Sequence, residues 1–325
     1  MKIGIIGAGR IGSELYRRAK FLGWDIKFVL KDDGIYKNLS EKIDDIEKYQ
    51  DYCIGLDVAF LAIPTLDDGK TAFDYMRSLL EKDIPVVSCE KGALSNYFSE
   101  LEKELDKIGY SATVGGGTRL LRYLEERISP KVEQIHAVVN GTLNYIFDEI
   151  SKGKSLAEVV EETKKLGYTE PKAESPFEVI NKESTEDVLM KSSILFNICF
   201  RRFTSKRMKA KNVKSYKIEE SELKRLIKES NNRRCIVSIR KEDNEEDIIG
   251  GFKYQIDDWI ISAGFKNINE NPLFLQLVPN GVNNSVLIYE GRHGIDGTYR
   301  LSGQGAGARP TTSSMIKDAI KLFKK

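Results

Sequence analysis

Two short segments, far apart in the chain, hold residue types whose spacing could do chemistry. The first, Gly7-Ala8-Gly9-Arg10-Ile11-Gly12, follows a strand-like apolar run at residues 2–6 and precedes a stretch with Leu15, Tyr16, Ala19 and Leu22 on one side. A glycine-rich turn of this spacing between strand and helix is a dinucleotide clamp. Gly7 permits the tight turn, Gly9 removes the side chain that would block a pyrophosphate, and Gly12 lets helix and strand pack closely. Backbone N–H groups at the helix start, at Arg10 and Ile11, then face the phosphates. The second segment, Asp187-Val188-Leu189-Met190-Lys191, sets a carboxylate and an ammonium one helical turn apart. The helix it opens is apolar almost all round as far as Phe200, and helices of that kind are buried. Lysine is rarely buried without a partner, which makes Lys191 a candidate proton carrier; the competing reading is a surface i,i+4 salt bridge. A nucleotide site joined to a sequestered lysine points to hydride transfer to a small polar substrate.

The elements that position these segments follow from length and pattern. A chain of 325 residues exceeds the usual single-core limit. The expected organisation is a nucleotide-binding domain at 1–130, completed by 303–325, and a substrate-binding and dimerisation domain at 131–302. The implied fold is a Rossmann-type doubly wound parallel sheet plus an α+β domain, with a C-terminal helix returning to the first. Nearly equal charges, 51 basic and 49 acidic for a formal net of +2, leave no electrostatic footprint for nucleic acid. No run of about 18 apolar residues exists to span a membrane. The strand directly after Met1-Lys2 leaves no room for a signal peptide, and a cytoplasmic location is expected. The four cysteines, Cys53, Cys89, Cys199 and Cys235, are scattered without metal-ligand spacing and read as buried thiols in a reducing compartment. The basic stretch 201–216 reads as a solvated face.

Further candidate residues lie at strand and helix ends. After a second strand at Ile26–Leu30 stand Lys31, Asp32 and Asp33. An acid there would bind a ribose hydroxyl and favour NAD, whereas Lys31 would favour the phosphate of NADP, so both cofactors stay open. A strand at 58–63 ends in Ile63-Pro64-Thr65, and another at 84–88 ends in Cys89-Glu90-Lys91. Both ends fall at the carboxyl edge of the sheet, where such crevices open. Ser155-x-x-Glu158 is a capping box for a helix closed by Gly167. It leads to Tyr168-Thr169-Glu170-Pro171, where Pro171 stiffens the corner carrying Glu170. Residues 172–186 read as a polar loop, with Ser184 or Thr185 capping the helix of Lys191. Gly303-Gln304-Gly305-Ala306-Gly307 forms a second glycine-rich turn before a C-terminal helix, a candidate for closing the nucleotide site. His136, in a strand-like run, reads as a core residue.

These segments, in this order, resemble the homoserine dehydrogenases over most of the chain. The anchors are the Gly7/Gly9/Gly12 clamp, Val86-Val87-Ser88-Cys89-Glu90-Lys91, Ala112 to Thr118, Val139-Asn140-Gly141-Thr142-Leu143-Asn144-Tyr145-Ile146, Leu166 to Pro171, Asp187 to Lys191, Asn283 to Val286, and Gly305-Ala306-Gly307. The resemblance implies reversible NAD(P)-dependent interconversion of L-homoserine and L-aspartate 4-semialdehyde, a step toward threonine and methionine. It implies that Lys191 is the acid/base and Lys91 a second lysine near the reacting oxygen. Glu170 and Asp187 would hold the substrate amino group, with Gly141, Thr142 and Tyr168 beside them. A homodimer is implied as well, as is a structural monovalent cation on the carbonyls of Val114 and Gly116.

Three departures stand out. The segment after Glu170-Pro171 is longer by about six residues and lacks a substrate-binding aspartate, for which Glu174 or Glu178 are the candidates. The family's cation-binding glutamate is Ser111, and its Ala-Asn before Lys91 is Cys89-Glu90. A dehydrogenase of another amino acid, such as L-aspartate, and a nucleotide-binding regulatory protein are the alternative readings.

Overall fold

A computed structural model of the chain describes residues 1–168, 175–243 and 246–324. Its contacts divide into two units, Met1–Gly117 with Ala308–Lys325, and Thr118–Gly307. The division falls earlier than residue 130 because the helix after Gly117 packs within the second unit.

In the first unit, β1 (Lys2–Ile6) leads through the glycine turn into α1 (Arg10–Phe21) and β2 (Asp25–Lys31). Two short strands follow, β3 (Gly34–Tyr36) and β4 (Lys42–Asp44), then the single turn α2 (Tyr49–Tyr52). Next come β5 (Val58–Leu61), α3 (Lys70–Leu80), β6 (Val86–Ser88), α4 (Gly92–Asn96), α5 (Phe98–Leu101) and β7 (Ile108–Gly109). Among the described residues the sheet order is β4-β3-β2-β1-β5-β6-β7, with β2, β1, β5, β6 and β7 parallel. The strands are apolar on both faces, as a sheet covered by helices on both sides requires. Ile3, Ile5, Val58, Phe60 and Val87 are fully buried there.

One feature of this sheet escaped the sequence pattern. Residues 31–36 form a hairpin in which Lys31 pairs with Gly34, so β3 and β4 extend the sheet antiparallel to β2. The two loop residues are Asp32 and Asp33, both of a turn-forming type, and Gly34 opens β3 at a φ of +145°. The Tyr36 hydroxyl donates to Asp33 Oδ2 at 2.7 Å and holds that carboxyl below its usual range.

The second unit contains α6 (Leu120–Arg127), β8 (Val132–Val138), α7 (Gly141–Ser151), α8 (Leu156–Leu166) and α9 (Pro176–Lys182). A π-helical turn, Glu183–Asp187, joins α9 to α10 (Val188–Phe200). The remaining elements are α11 (Glu220–Lys228), β9 (Arg233–Arg240), β10 (Ile248–Ile256), β11 (Trp259–Asn267), α12 (Pro272–Leu277), β12 (Asn283–Glu290) and β13 (Gly297–Gln304). Their antiparallel sheet runs β10-β11-β9-β8-β12-β13. α13 (Ala308–Phe323) then belongs to the first unit, where Ser111 donates from its backbone and its hydroxyl to the buried carboxylate of Asp318, both at 2.7 Å.

Within the expected polar loop at 172–186, the described residues from Pro176 onward are helical. Ser175 and Glu178 form a capping box and Pro176 occupies the first helical turn, so α9 is as well specified at its start as α8. The polar composition of the segment hid that signature. Lys191's helix consequently has no separate Ser184 or Thr185 cap. Those two buried hydroxyls instead donate to the Asn181 carbonyl, at 3.2 and 2.7 Å, and help satisfy the widened turn.

Candidate active site

The glycine clamp is built from backbone. Gly7 has a φ of +97°, and a Cβ there would stand 2.4 Å from the Ala62 carbonyl oxygen. Gly12 is packed so closely that a Cβ would meet the Gly7 carbonyl oxygen at 1.9 Å. Gly9 differs: a Cβ would meet nothing within 4 Å, so the space over the N-terminus of α1 is open on the protein side. No side chain caps that terminus, which starts at Arg10 and Ile11. An open cradle over uncapped N–H groups fits the pyrophosphate of a dinucleotide.

Around the clamp, Ile63 Cγ2 lies within 3.0 Å of where a Gly7 Cβ would be. Pro64 and Thr65 lie in the loop that follows β5, and the Thr65 hydroxyl donates to Glu90 Oε1 at 2.6 Å. Glu90 is buried, and its carboxylate also accepts the N–H groups of Gly92 and Ala93, the latter at 2.9 Å. It therefore caps α4 and ties the Thr65 loop to the Lys91 loop. This is a consequence of having an acid before Lys91 that spacing alone did not reveal. Lys91 itself is half-buried at the start of α4. At the end of β2, the Lys31 ammonium donates to the Leu39 carbonyl at 2.7 Å and lies 3.9 Å from the Tyr36 ring centre, while Asp32 occupies the hairpin turn.

Nothing in the described residues points to the cation implied on Val114 and Gly116. The Gly116 carbonyl accepts the Ser314 hydroxyl at 2.7 Å. Position 111 carries no carboxylate, and the buried carboxylate beside it, Asp318, accepts the Ser111 N–H and hydroxyl. Among the described residues no group of three or more His, Cys, Asp or Glu side chains could hold a metal either.

In the second unit, α10 brings Lys191 against the loop before α7. The Lys191 ammonium pairs with Asp187 Oδ2 at 2.6 Å and donates to the Val139 carbonyl at 2.9 Å. The two side chains retain 13% and 16% exposure, so the pair is mostly buried, and the surface-bridge reading is set aside. Asn140, within the segment Val139 to Ile146, is the hub of this cluster. Its side-chain oxygen accepts the Leu143 N–H at 2.7 Å and caps α7, while its nitrogen donates to Asp187 Oδ2 at 2.8 Å and Glu183 Oε2 at 2.5 Å. Asn284, fully buried, donates to the same Val139 carbonyl at 3.1 Å, and its Oδ1 has no hydrogen-bond partner.

Gly141 begins α7 against the Val282 carbonyl, which a Cβ would approach to 2.4 Å. The Thr142 hydroxyl donates to the Tyr168 carbonyl at 2.7 Å and so tethers the end of the α8 corner. Gly305 abuts Asn284, whose Oδ1 would lie 2.2 Å from a Cβ, and Ala306 follows in the turn before α13. The second unit thus gathers Lys191, Asp187, Asn140, Asn284 and Gly305 in a chain of direct contacts, with Thr142 and Tyr168 linked nearby. Glu170 and Glu174 lie outside the described residues. Glu178 belongs to the capping box of α9, which accounts for its carboxylate without a substrate.

The cysteines offer no nucleophile. All four are free thiols, and burial pushes Cys53 and Cys89 up to about 11, Cys235 up to about 12, and Cys199 upward as well. Within the basic stretch, Arg201 pairs with Glu125 at 3.0 Å and Arg207 donates to the Thr204 carbonyl at 2.8 Å, so two of its charges serve the fold.

The first unit carries a mostly parallel sheet with a glycine clamp after its first strand, and the second an antiparallel sheet with a mostly buried lysine–carboxylate pair. Comparison with known proteins gives the family. The homoserine dehydrogenase family model matches residues 121–320, and the chain belongs to that family. Homoserine dehydrogenase of Saccharomyces cerevisiae is 29% identical over 227 residues, 66% of this chain and 60% of the yeast protein. That of Helicobacter pylori is 23% identical across 100% of this chain and 74% of its own length. The chain thus spans less than two thirds of the yeast protein in that match. The fold is similar to homoserine dehydrogenase from Thermoplasma acidophilum, with a TM-score of 0.75 at 19% identity over 100% of this chain and 99% of that one. It is also similar to a hyperthermophilic archaeal homoserine dehydrogenase in complex with NADPH, with a TM-score of 0.69 at 21% identity over 99% and 97% of the chains.

Proposed function

We propose that this chain is a homoserine dehydrogenase, interconverting L-homoserine and L-aspartate 4-semialdehyde with NAD or NADP. The observation that carries the reading is Lys191: a mostly buried ammonium holding one carboxylate and one carbonyl, on the helix where the family keeps its acid/base. An ammonium has three N–H donors, and two are engaged by described residues. The third is available to a substrate oxygen.

In the reducing direction Lys191 gives a proton to the carbonyl oxygen of the semialdehyde as hydride reaches the carbon. In the oxidising direction the neutral amine takes the hydroxyl proton. The nicotinamide, when bound, supplies the hydride chemistry. Gly9 and the N–H groups of α1 hold its pyrophosphate, Thr65 and Lys91 are its neighbours on the carboxyl edge of the sheet, and Asp187 orients Lys191. By resemblance, Gly141, Thr142, Tyr168 and Glu170 would be the remaining substrate contacts and Gly305 and Ala306 further cofactor contacts. Lys31 and Asp32 choose between NADP and NAD.

Among the described residues no helix is long and apolar enough to cross a membrane; a cytoplasmic homodimer is the form that the family resemblance suggests. The test is oxidation of L-homoserine with each nucleotide, beside L-aspartate. Reduction of nucleotide by homoserine alone supports the assignment, and inert homoserine with active L-aspartate replaces it.

A further inference from the structure

We propose that Glu90 is a positioning residue, whose buried carboxylate sets Lys91 and Thr65 in one frame at the carboxyl edge of the first unit's sheet. The proposal rests on the reading of this chain as a homoserine dehydrogenase that uses Lys91 near the reacting oxygen. Glu90 is 3% exposed, and its two oxygens take three donors. Oε1 accepts the Gly92 N–H and the Thr65 hydroxyl, the latter at 2.6 Å, and Oε2 accepts the Ala93 N–H at 2.9 Å. The N–H of Glu90 itself donates to the Ser88 hydroxyl at 3.0 Å. A side chain at position 90 bonded to the N–H groups of 92 and 93 encloses residue 91 in the ring it closes. The backbone of Lys91 is thereby fixed, and with it the direction in which its side chain sets out. A carboxylate serves all three donors, with about four acceptor sites, whereas an amide would set its N–H2 against one of them. Position 90 is among the chain's departures from the family pattern, so this clasp is its own.

The loop that carries Thr65 has a conformation that needs holding. Asp67, Asp68 and Gly69 are consecutive residues in the left-handed region, with φ of +48°, +54° and +88°. Two of them bear side chains, and such residues persist only where their surroundings over-determine them. The Gly69 N–H donates to the Leu66 carbonyl at 2.7 Å. Asn96, buried in α4, donates from its side chain to the Asp68 carbonyl at 2.8 Å. Backbone also meets backbone, since a Cβ on Gly92 would lie 2.6 Å from Gly69 Cα. The bond from Thr65 to Glu90 closes the other end, so residues 62–69 and the start of α4 are tied at two points. With its proton given to Glu90, the Thr65 hydroxyl is left to act as an acceptor.

The experiment is a double-mutant cycle of Glu90→Gln with Lys91→Ala, read in kcat for homoserine oxidation. Glu90→Gln alone should lower kcat by about 30-fold, because a group misplaced by about 1 Å costs up to about 100-fold. In the Lys91→Ala background the same change should cost less than about twofold, since the group it aims is gone. A second cycle, with Thr65→Val, is read in nucleotide affinity by titration without turnover. Glu90→Gln and Thr65→Val should each weaken binding by about threefold, and the pair no more than either, as one shared hydrogen bond requires. Equal kcat losses with and without Lys91, an unchanged kcat, or additive losses of affinity overturn the proposal. Glu90→Asp keeps the charge and draws it back by one methylene. It enters the same cycles if the glutamine variant does not fold, with the same outcomes deciding. Should wild type leave homoserine untouched, the enzymatic reading falls and the affinity cycle alone decides the clasp.

Discussion

Two buried lysine–carboxylate pairs sit in the second unit, and they differ in what each ammonium has left to give. Lys266 is 1% exposed and donates to Ser238 Oγ and Ser262 Oγ at 2.8 Å each, with Glu246 Oε2 at 2.9 Å. Its three N–H groups meet three acceptors, and Arg240 holds Glu246 from the other side. Burial lowers Lys266 to about 8, and the surrounding cations hold Glu246 down to about 2. Lys191 keeps 13% exposure and two acceptors, leaving one N–H without a partner among the described residues. Saturation marks a structural pair. An unspent donor at the edge of solvent marks a chemical one. The glycine clamp repeats the lesson in backbone: Gly12 is filled by the protein, while Gly9 faces open space.

Exchanging the two lysines' fates is the sharpest way to break this contrast. Lys191→Ala should cut kcat for homoserine oxidation by about 100-fold or more, the usual worth of positioned proton transfer. Nucleotide titration should find the same affinity, and near-normal turnover would return Lys191 to a structural role. Lys266→Met should do the reverse. Leaving a buried carboxylate short of a partner costs about 3 kcal/mol or more in urea unfolding, with kcat within about threefold of wild type. A large loss of turnover at undiminished stability would erase the distinction.

The network around Lys266 also predicts a pH dependence. His136 is fully buried between Ser238 and Gln134, and burial, reinforced by the Lys266 charge, lowers its imidazole to about 3. Its unfolded value is about 6.5, so the unfolded chain takes up the proton first as pH falls. Stability therefore declines from about pH 6.5 downward, by about 2–3 kcal/mol at pH 4.5. Glu246 adds to the decline below about pH 4.5, where its unfolded form begins to protonate. Urea midpoints of wild type and His136→Gln at both pH values check this, and parallel slopes would contradict it. The smallest effect belongs to Gly9→Ala, which should weaken nucleotide binding by about tenfold while the melting temperature is unchanged, since the methyl group meets no protein atom. An equal loss of stability would mean that the space above Gly9 serves packing.

Local signals made the parallel sheet, the clamp, α8 and the buried helix of Lys191 legible in the chain, because each is written in neighbouring residues. The clamp is readable for a further reason: backbone does its work, and only glycine spacing is needed to specify it. Two local signals were present and overlooked. The turn-forming run Asp32-Asp33-Gly34 announces a reversal after β2, and Ser175-Pro176-Phe177-Glu178 announces α9 inside a polar segment. What could not be read is pairing across distance. Asn140 meets Glu183 and Asp187, 43 and 47 residues on, and Ser111 meets Asp318, 207 residues on. No periodicity encodes such meetings.

The most direct measurement of the central claim is chemical rescue of Lys191→Ala. Small primary amines added to the variant should restore homoserine-dependent nucleotide reduction in proportion to their concentration and basicity, because they replace the missing proton carrier in the gap it leaves. Restoration of that kind is the predicted result. A variant that turns over normally without amine, or one that binds nucleotide and homoserine yet answers to no amine, would contradict the role given to Lys191.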